Sequence, residues 1–308
     1  MRIFSGSAHP RLAEGIGRHL GIELGRIVLG HFPDSETKVQ VLDDVRGREA
    51  FVVQSLCRPV NESLMELLII VDALRRASAS SICAVIPYFA YARQDRKHAG
   101  RVPITAKLVA NLITTSGVNR VLTMDLHASQ IQGFFDIPVD HLYAAPVHIE
   151  YLMKRGLEKP VILAPDIGGV KMAGAFAKRL GGDLAILQKE RMNDHEVRCG
   201  HVIGEIEGRD VVIVDDVIST ASTASEATKV VRANGAKRII VLATHGILAE
   251  SAFARLSEAA PDEIVLTDTI PMGNPPKNLP LTVLSVAGLL GDAVIRIHRN
   301  QSVSSLFL

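Results

Sequence analysis

Short apolar runs, rich in β-branched residues, alternate along this chain with longer stretches of helical period. Residues 50–54, 82–87, 121–124, 161–164, 211–214, 239–243 and 263–267 predict strands. Residues 62–77, 104–116, 144–155, 169–180, 223–234 and 251–259 predict helices. Several of these runs lack polar alternation, as expected of strands covered on both faces. Strand–helix alternation then implies an α/β fold of mainly parallel sheets flanked by helices. In such sheets ligands bind beyond the C-terminal strand ends. Residues 76–85 are faintly repeated in residues 232–241, each a helix end, a small-residue turn and a strand. The echo suggests two related halves meeting near residues 142–160; the plainer reading is that any two αβ turns look alike.

The run Val211-Val212-Ile213-Val214 is followed by Asp215-Asp216-Val217-Ile218-Ser219-Thr220-Ala221-Ser222-Thr223, and then by a helical pattern. The strand is expected to end at the two carboxylates. A strand end, a hydroxyl-rich turn and a helix N-terminus make an anion site, because unpaired N–H groups and the helix dipole converge there. Carboxylates beside it repel phosphate but accept hydrogen bonds from sugar hydroxyls. A ligand that suits both carries a phosphate at one end and neighbouring hydroxyls at the other, which describes a sugar phosphate. The alternative is a βα turn capped by a single Ser or Thr. Four hydroxyls after two acids exceed what a cap needs.

Other polar clusters follow predicted strands or lie in loops. Tyr88-Phe89-Ala90-Tyr91-Ala92-Arg93-Gln94-Asp95-Arg96-Lys97 puts three cations in five residues, suited to clamping a polyphosphate. A solvated basic loop would rarely need the three aromatics before it. Asp125-Leu126-His127 places a carboxylate and an imidazole two apart, where both can face a metal or a phosphate; a structural histidine is the alternative. In Pro165-Asp166-Ile167-Gly168-Gly169 the glycines admit a ligand close to the backbone. Asp166 suits Mg²⁺, which takes one or two carboxylates plus water and substrate phosphates. A turn requiring positive φ would explain those glycines but not the acid. Lys189-Glu190-Arg191 opens a charged stretch through Arg198 without clear period, expected as a mobile loop able to close over phosphates, or as plain solvated surface. Phe32-Pro33-Asp34-Ser35-Glu36 joins an aromatic to two acids, which can stack on a purine and bind its amino group.

Bulk properties narrow the classes. A length of 308 residues suits two domains, and 47% apolar residues support large interiors. A net charge of +1 gives no whole-chain attraction to nucleic acid or membrane, so anion binding must be local. Cys57, Cys83 and Cys199 are odd in number and lack metal-type spacing, which suits a reducing compartment. No run reaches transmembrane length without charge, and the first residues lack a signal-peptide pattern. A soluble cytoplasmic protein is expected.

Taken in order, several motifs resemble the ribose-phosphate diphosphokinase family, also called phosphoribosyl pyrophosphate synthases. They are Phe32-Pro33-Asp34-Ser35-Glu36, Asp44-Val45-Arg46-Gly47, residues 61–79, residues 88–97, Arg101-Val102-Pro103-Ile104-Thr105-Ala106-Lys107, residues 125–135, residues 165–169 and the 211–223 segment. The resemblance runs from about Ile3 to Phe307. It implies two tandem phosphoribosyltransferase-like (type I) domains related by duplication. Residues 1–145 would carry the ATP-side contacts and residues 146–308 the ribose 5-phosphate loop, with the C-terminal tail packing back on the first domain. It implies homo-oligomers built from dimers, in many members hexamers. The activity implied is transfer of a diphosphoryl group from Mg²⁺-ATP to ribose 5-phosphate, giving 5-phosphoribosyl 1-diphosphate and AMP.

Residue by residue, the resemblance implies that Phe32 stacks on the adenine and that Asp34, Ser35 and Glu36 contact it near a subunit interface. Arg93 and Gln94, with Arg96 beside them, would bind ATP, and His127 and Asp166 would lie at the Mg²⁺ site. Lys189 matches the catalytic lysine and Arg191 its partner, which also reaches the sugar phosphate. Asp215 and Asp216 would hold ribose hydroxyls, and Ser219, Thr220, Ala221, Ser222 and Thr223 would cradle the 5-phosphate. Three departures stand out: Ser219 where bacterial members usually carry Asp, Ala221-Ser222 where small glycines or Ala-Gly are usual, and Glu190-Arg191-Met192 in place of a more basic, proline-containing pattern. Two rivals stay open at this point: a phosphoribosyltransferase sharing the sugar-phosphate loop, and a non-catalytic homologue that binds partner synthases.

Overall fold

A computed structural model describes residues 1–191, 197–249 and 251–307; for residues 189–191, 197–200 and 307 it describes the backbone alone. The chain forms two compact units. One comprises Met1–Tyr143, Thr269–Pro271 and Ser285–Leu308, the other Ala144–Asp268 and Met272–Leu284.

The first unit runs β1 (Arg2–Ser5), α1 (Pro10–Leu20), the hairpin β2 (Ile27–His31) and β3 (Thr37–Val41), β4 (Glu49–Val53), α2 (Val60–Arg76), β5 (Ser81–Ile86), α3 (Thr105–Ser116), β6 (Arg120–Met124) and β7 (Val139–Leu142). Strands β1-β4-β5-β6-β7 pair in that order, all parallel, and β2 and β3 form a separate antiparallel ribbon. The second unit runs α4 (Ala145–Met153), β8 (Val161–Ala164), α5 (Val170–Leu180), β9 (Asp183–Arg191), β10 (Val197–Ile203), β11 (Asp210–Ile218), α6 (Ser222–Ala233), β12 (Arg238–Gly246), α7 (Ala252–Ala259), β13 (Glu263–Thr267) and β14 (Leu281–Leu284). Its sheet order is β10-β9-β8-β11-β12-β13-β14, parallel except for β10. Helix α8 (Ala287–His298) follows β14 yet belongs to the first unit, packed on α1.

The order β8-β11-β12-β13-β14 repeats β1-β4-β5-β6-β7 both along the chain and across the sheet. The faint sequence echo falls on α2–β5 and on α6–β12, which are equivalent in this scheme. Each unit takes one helix from beyond the other unit's final strand: α4 follows β7 and packs on α5, and α8 follows β14 and packs on α1.

The unbroken apolar runs are explained by burial on both faces. In β11, Val211 and Ile213 join a cluster with Ala224, Ala227 and Val231 of α6 and Leu256 of α7. Val212 and Val214 join another with Ile149 and Leu152 of α4 and Phe176 of α5. Alternate side chains of one strand thus enter two cores.

Two expectations are corrected. Strand β11 does not end at Val214 but runs through Asp215 and Asp216 to Ile218, because β12 pairs with it that far, Ile218 against Gly246. On the other side β8 pairs only to Ile213, so the two acids stand where one edge of a central strand has lost its neighbour. Lys189, Glu190 and Arg191 do not form a loop; they end β9, with Lys189 opposite Cys199 and Arg191 opposite Val197 of β10. Residues 192–196, expected as part of that loop, lie outside the described residues.

Candidate active site

In the second unit, parallel pairing of β8 and β11 delivers their C-terminal ends to the same edge of the sheet. The turn after β8 carries Asp166, and that after β11 carries the 219–223 loop. Asp166 is exposed, and its side chain caps a short 3-10 turn by accepting from the Gly169 N–H at 3.1 Å. Neither Gly168 nor Gly169 takes a positive φ, and a Cβ on Gly169 would meet only ordinary contacts at 3.7–3.9 Å. The turn therefore has no conformational need for Gly169, whereas a Cβ on Gly168 would come within 3.2 Å of Asp166 Oδ1. Bare backbone beside a carboxylate is what close approach by a ligand requires.

Asp215 is half-buried, and its carboxylate accepts from the Asp216 N–H at 2.9 Å. Burial raises its pKa, and the neighbouring charges of Asp216 and Asp166 raise it further. Three carboxylates crowd one end of the sheet, and a cation or a set of hydroxyl donors would relieve them.

The 219–223 loop departs from a plain capped turn. The residue at the N-cap of α6 is Ala221, in left-handed conformation at φ 59°, and no side chain caps the helix. The first N–H groups of α6 thus have no intrahelical partner and, among the described residues, no side-chain cap. The preceding carbonyls are all committed elsewhere. Ile218 C=O accepts from the N–H groups of Ile247 and Leu248 at 2.9 and 3.2 Å, Ser219 C=O from Ala249 N–H at 2.9 Å, and Thr220 C=O from the Arg255 guanidinium at 2.9 Å. In a trans peptide the N–H points opposite to the C=O. Turning three successive carbonyls toward residues 247–255 therefore turns the N–H groups of Ser219, Thr220 and Ala221 the other way. They lie on the same short segment as the uncapped start of α6, and N–H groups gathered in this way are suited to an anion. Arg255 of α7 was not identifiable from sequence, since an arginine on an amphipathic helix some way downstream gives no signal.

In the first unit, parallel β5 and β6 bring two further clusters to one sheet edge. Arg93, Gln94 and Arg96 are exposed in the segment after β5, and His127 is exposed after β6. A bond from Gln130 Nε2 to Asp95 Oδ2, 2.6 Å, ties the two segments. Gln94 is held at the start of α3, where its carbonyl accepts from Ala106 N–H at 3.2 Å and its side chain from the Thr105 hydroxyl. Asp125 and His127 do not share a surface as the sequence suggested: Asp125 is 6% exposed, with φ 38°. Phe32, Asp34, Ser35 and Glu36 form the tip of the β2–β3 hairpin. The tip is closed by its own hydrogen bonds: Phe32 N–H to Glu36 C=O at 2.8 Å, Ser35 N–H to Phe32 C=O at 2.9 Å, and Glu36 N–H to the Asp34 carboxylate at 3.3 Å. Phe32 is 47% exposed, with the Lys38 ammonium 5.6 Å from its ring centre. Of Lys189 and Arg191 only the backbone is described. Among the described residues there is no group of three or more His, Cys, Asp or Glu arranged to hold a metal, and no helix is long and apolar enough to cross a membrane.

Repeated parallel sheets, with a hydroxyl-rich turn after a central strand of the second, place the chain in the phosphoribosyltransferase-like class. Its sequence and structural relatives are more specific. Residues 1–117 match the N-terminal domain of ribose phosphate pyrophosphokinase, and residues 199–308 match the phosphoribosyl synthetase-associated domain. A ribose-phosphate pyrophosphokinase of Rhodopirellula baltica is 54% identical over 100% of this chain and 98% of its own length. That of Gloeobacter violaceus is 52% identical over 100% and 93%. The crystal structure of phosphoribosylpyrophosphate synthetase from Mycobacterium smegmatis superposes with a TM-score of 0.91 at 40% identity, covering 97% of this chain and 99% of that one. The chain belongs to the ribose-phosphate pyrophosphokinase family. Likeness over the full length sets aside the phosphoribosyltransferase rival.

Proposed function

We propose that this chain transfers the β,γ-diphosphoryl group of ATP to the 1-hydroxyl of ribose 5-phosphate, and that its second unit seats the sugar phosphate. The observation that carries the reading is the 219–223 loop: an uncapped α6 and three reversed carbonyls beside two strand-borne acids.

In this reading the 5-phosphate rests on the N–H groups and hydroxyls of Ser219, Thr220, Ala221, Ser222 and Thr223. Asp215 and Asp216 accept from the ribose hydroxyls and so orient the anomeric carbon. The 1-hydroxyl oxygen attacks the β-phosphorus, the bond from that phosphorus to the α,β-bridging oxygen breaks, and AMP leaves with that oxygen. The 1-hydroxyl proton is lost in the process. ATP carries several negative charges that repel an oxygen nucleophile, so alignment and charge neutralisation are the main tasks. Arg93 and Arg96 meet the polyphosphate, Gln94 orients it, and Phe32, Asp34, Ser35 and Glu36 receive the adenine. Lys189 and Arg191 stabilise charge on the leaving side, Lys189 as a cation.

The donor chemistry at Asp166 fits Mg²⁺. An exposed carboxylate lies close enough to Asp215 to perturb it, and hard oxygen donors in small number are what this ion takes from a protein. Asp166 would hold the ion, which would supply charge neutralisation on phosphate oxygens; His127 is assigned a metal-binding role within the first unit. The expected setting is the cytoplasm, as a homo-oligomer built from dimers.

The test is AMP release from ATP by the purified full chain, with and without ribose 5-phosphate. The reading expects AMP only with the sugar phosphate, in equal amount to a new diphosphorylated sugar. Release of inorganic phosphate, or AMP formation indifferent to the sugar, would refute it.

A further inference from the structure

We infer that Arg255 is a positioning residue for the sugar-phosphate loop, holding it open as a phosphate receptor and thereby setting affinity for ribose 5-phosphate. This rests on the functional reading above and adds to it a residue outside the loop.

Three observations carry the inference. First, Arg255 Nη1 donates to both shoulders of the turn, the Thr220 carbonyl at 2.9 Å and Ser222 Oγ at 2.8 Å. Secondly, those contacts decide what the loop can bind. The bond to Thr220 C=O is the last of the series that faces the loop carbonyls away from the phosphate seat. The other members come from the backbone of residues 247–249, so only this one depends on a side chain. Thirdly, Ser222 is the first residue of α6, one position past the N-cap Ala221. Its Oγ is held by Arg255 and lies 3.2 Å from Thr220 Oγ1. Arg255 therefore fixes both the carbonyl that precedes the N-cap and the hydroxyl that follows it.

The arginine is itself held. Its carbonyl accepts from Ser225 Oγ at 3.2 Å, and Lys229 Nζ of α6 meets Glu258 of α7 at 2.5 Å. The α6–α7 pair is thus a frame, and Arg255 spans from the frame to the loop. A guanidinium suits this task because two N–H bonds on one nitrogen have fixed directions; an ammonium can supply either contact but not the same geometry.

The experiment uses the full chain with ribose 5-phosphate as the titrant. Calorimetric binding and steady-state kinetics are compared for wild type, Arg255→Ala, Arg255→Lys, Ser222→Gly and the double variant Ser222→Gly/Arg255→Ala. Arg255→Ala is expected to raise Kd and KM for ribose 5-phosphate by roughly 10- to 100-fold, the scale of one or two charge-assisted hydrogen bonds. KM for ATP should stay within about twofold and kcat should fall far less than the sugar affinity. Arg255→Lys should recover part of the loss. In the Ser222→Gly background the same alanine change should cost less, since one of the two contacts of Arg255 is already gone. Unchanged sugar affinity in Arg255→Ala would overturn the inference. So would a parallel loss in kcat and both KM values, or strictly additive effects in the double variant. If Arg255→Ala fails to fold, a lysine variant with full sugar affinity would overturn it equally. A wild type that neither binds nor consumes ribose 5-phosphate refutes the functional reading itself; a failure confined to the Arg255 series refutes only the clamp.

Discussion

Acidification should destabilise the second unit through one buried histidine. His148 on α4 is 1% exposed, its ring centre lies 6.2 Å from that of Phe176, and its Nε2 has no hydrogen-bond partner among the described residues. Burial pushes its pKa from 6.5 down to about 3, and the nearby buried His245 adds to the effect. The folded ring is therefore neutral, while the unfolded chain takes up a proton below pH 6.5. The contribution is fully present above the unfolded value and is lost as pH falls from 6.5 towards 3. Each pH unit in that window costs about 1.4 kcal/mol, so at pH 5 the loss from this group is about 2 kcal/mol. Hydrogen exchange of the amides of β8 and β11, measured at about pH 7.5, 6 and 5, reports the second unit alone. His148→Leu removes the titrating group, and the difference between wild type and variant should shift by about 2 kcal/mol at pH 5 relative to about pH 7.5, wild type losing the more. Parallel loss of protection in the two proteins would show that the ring is not held neutral.

Three other outcomes are expected. Lys189→Ala should lower kcat by about 100- to 1,000-fold, the scale of removing one preorganised donor, with little change in ATP affinity; near-normal turnover in a stopped assay would take Lys189 out of the mechanism. Asp215→Ala should weaken ribose 5-phosphate by roughly tenfold or more, and a calorimetric titration with unchanged affinity would contradict its role as a hydroxyl acceptor. Gly169→Ala should fold normally, because its Cβ meets only ordinary contacts at 3.7–3.9 Å. It should nonetheless raise the KM of a substrate that lies against the turn; unchanged melting and unchanged kinetics together would mean that nothing approaches there.

What the sequence disclosed follows from how each part is stabilised. The central strands were legible because burial on both faces leaves no polar alternation, as in Val211–Val214 feeding two cores. The 219–223 turn stood out because its chemistry is local: hydroxyls, small residues and a helix start lie within a few positions. The extension of β11 through Asp215 and Asp216 was not, because it depends on how far β12 pairs, a tertiary property that outweighs the strand-breaking tendency of aspartate. Lys189 to Arg191 looked like a loop for the same reason; a charged run becomes a strand when β10 supplies the ladder. The β2–β3 ribbon was missed because its apolar runs are short and broken by Gly30 and polar residues, although Ile27, Leu29, Val39 and Val41 pack on the first core. Arg255 was invisible because its partners are the Thr220 carbonyl and a serine hydroxyl far away in sequence. The family motifs supplied roles for Lys189 and Arg93 that no local pattern could assign.

The most direct measurement is a crystal structure of the full chain grown with ribose 5-phosphate. The account places the phosphate oxygens within hydrogen-bonding distance of the amides of residues 220–223, with the ring hydroxyls on the adjacent acids of β11. A sugar bound elsewhere, or seated with its phosphate facing Asp215 and Asp216, would contradict it.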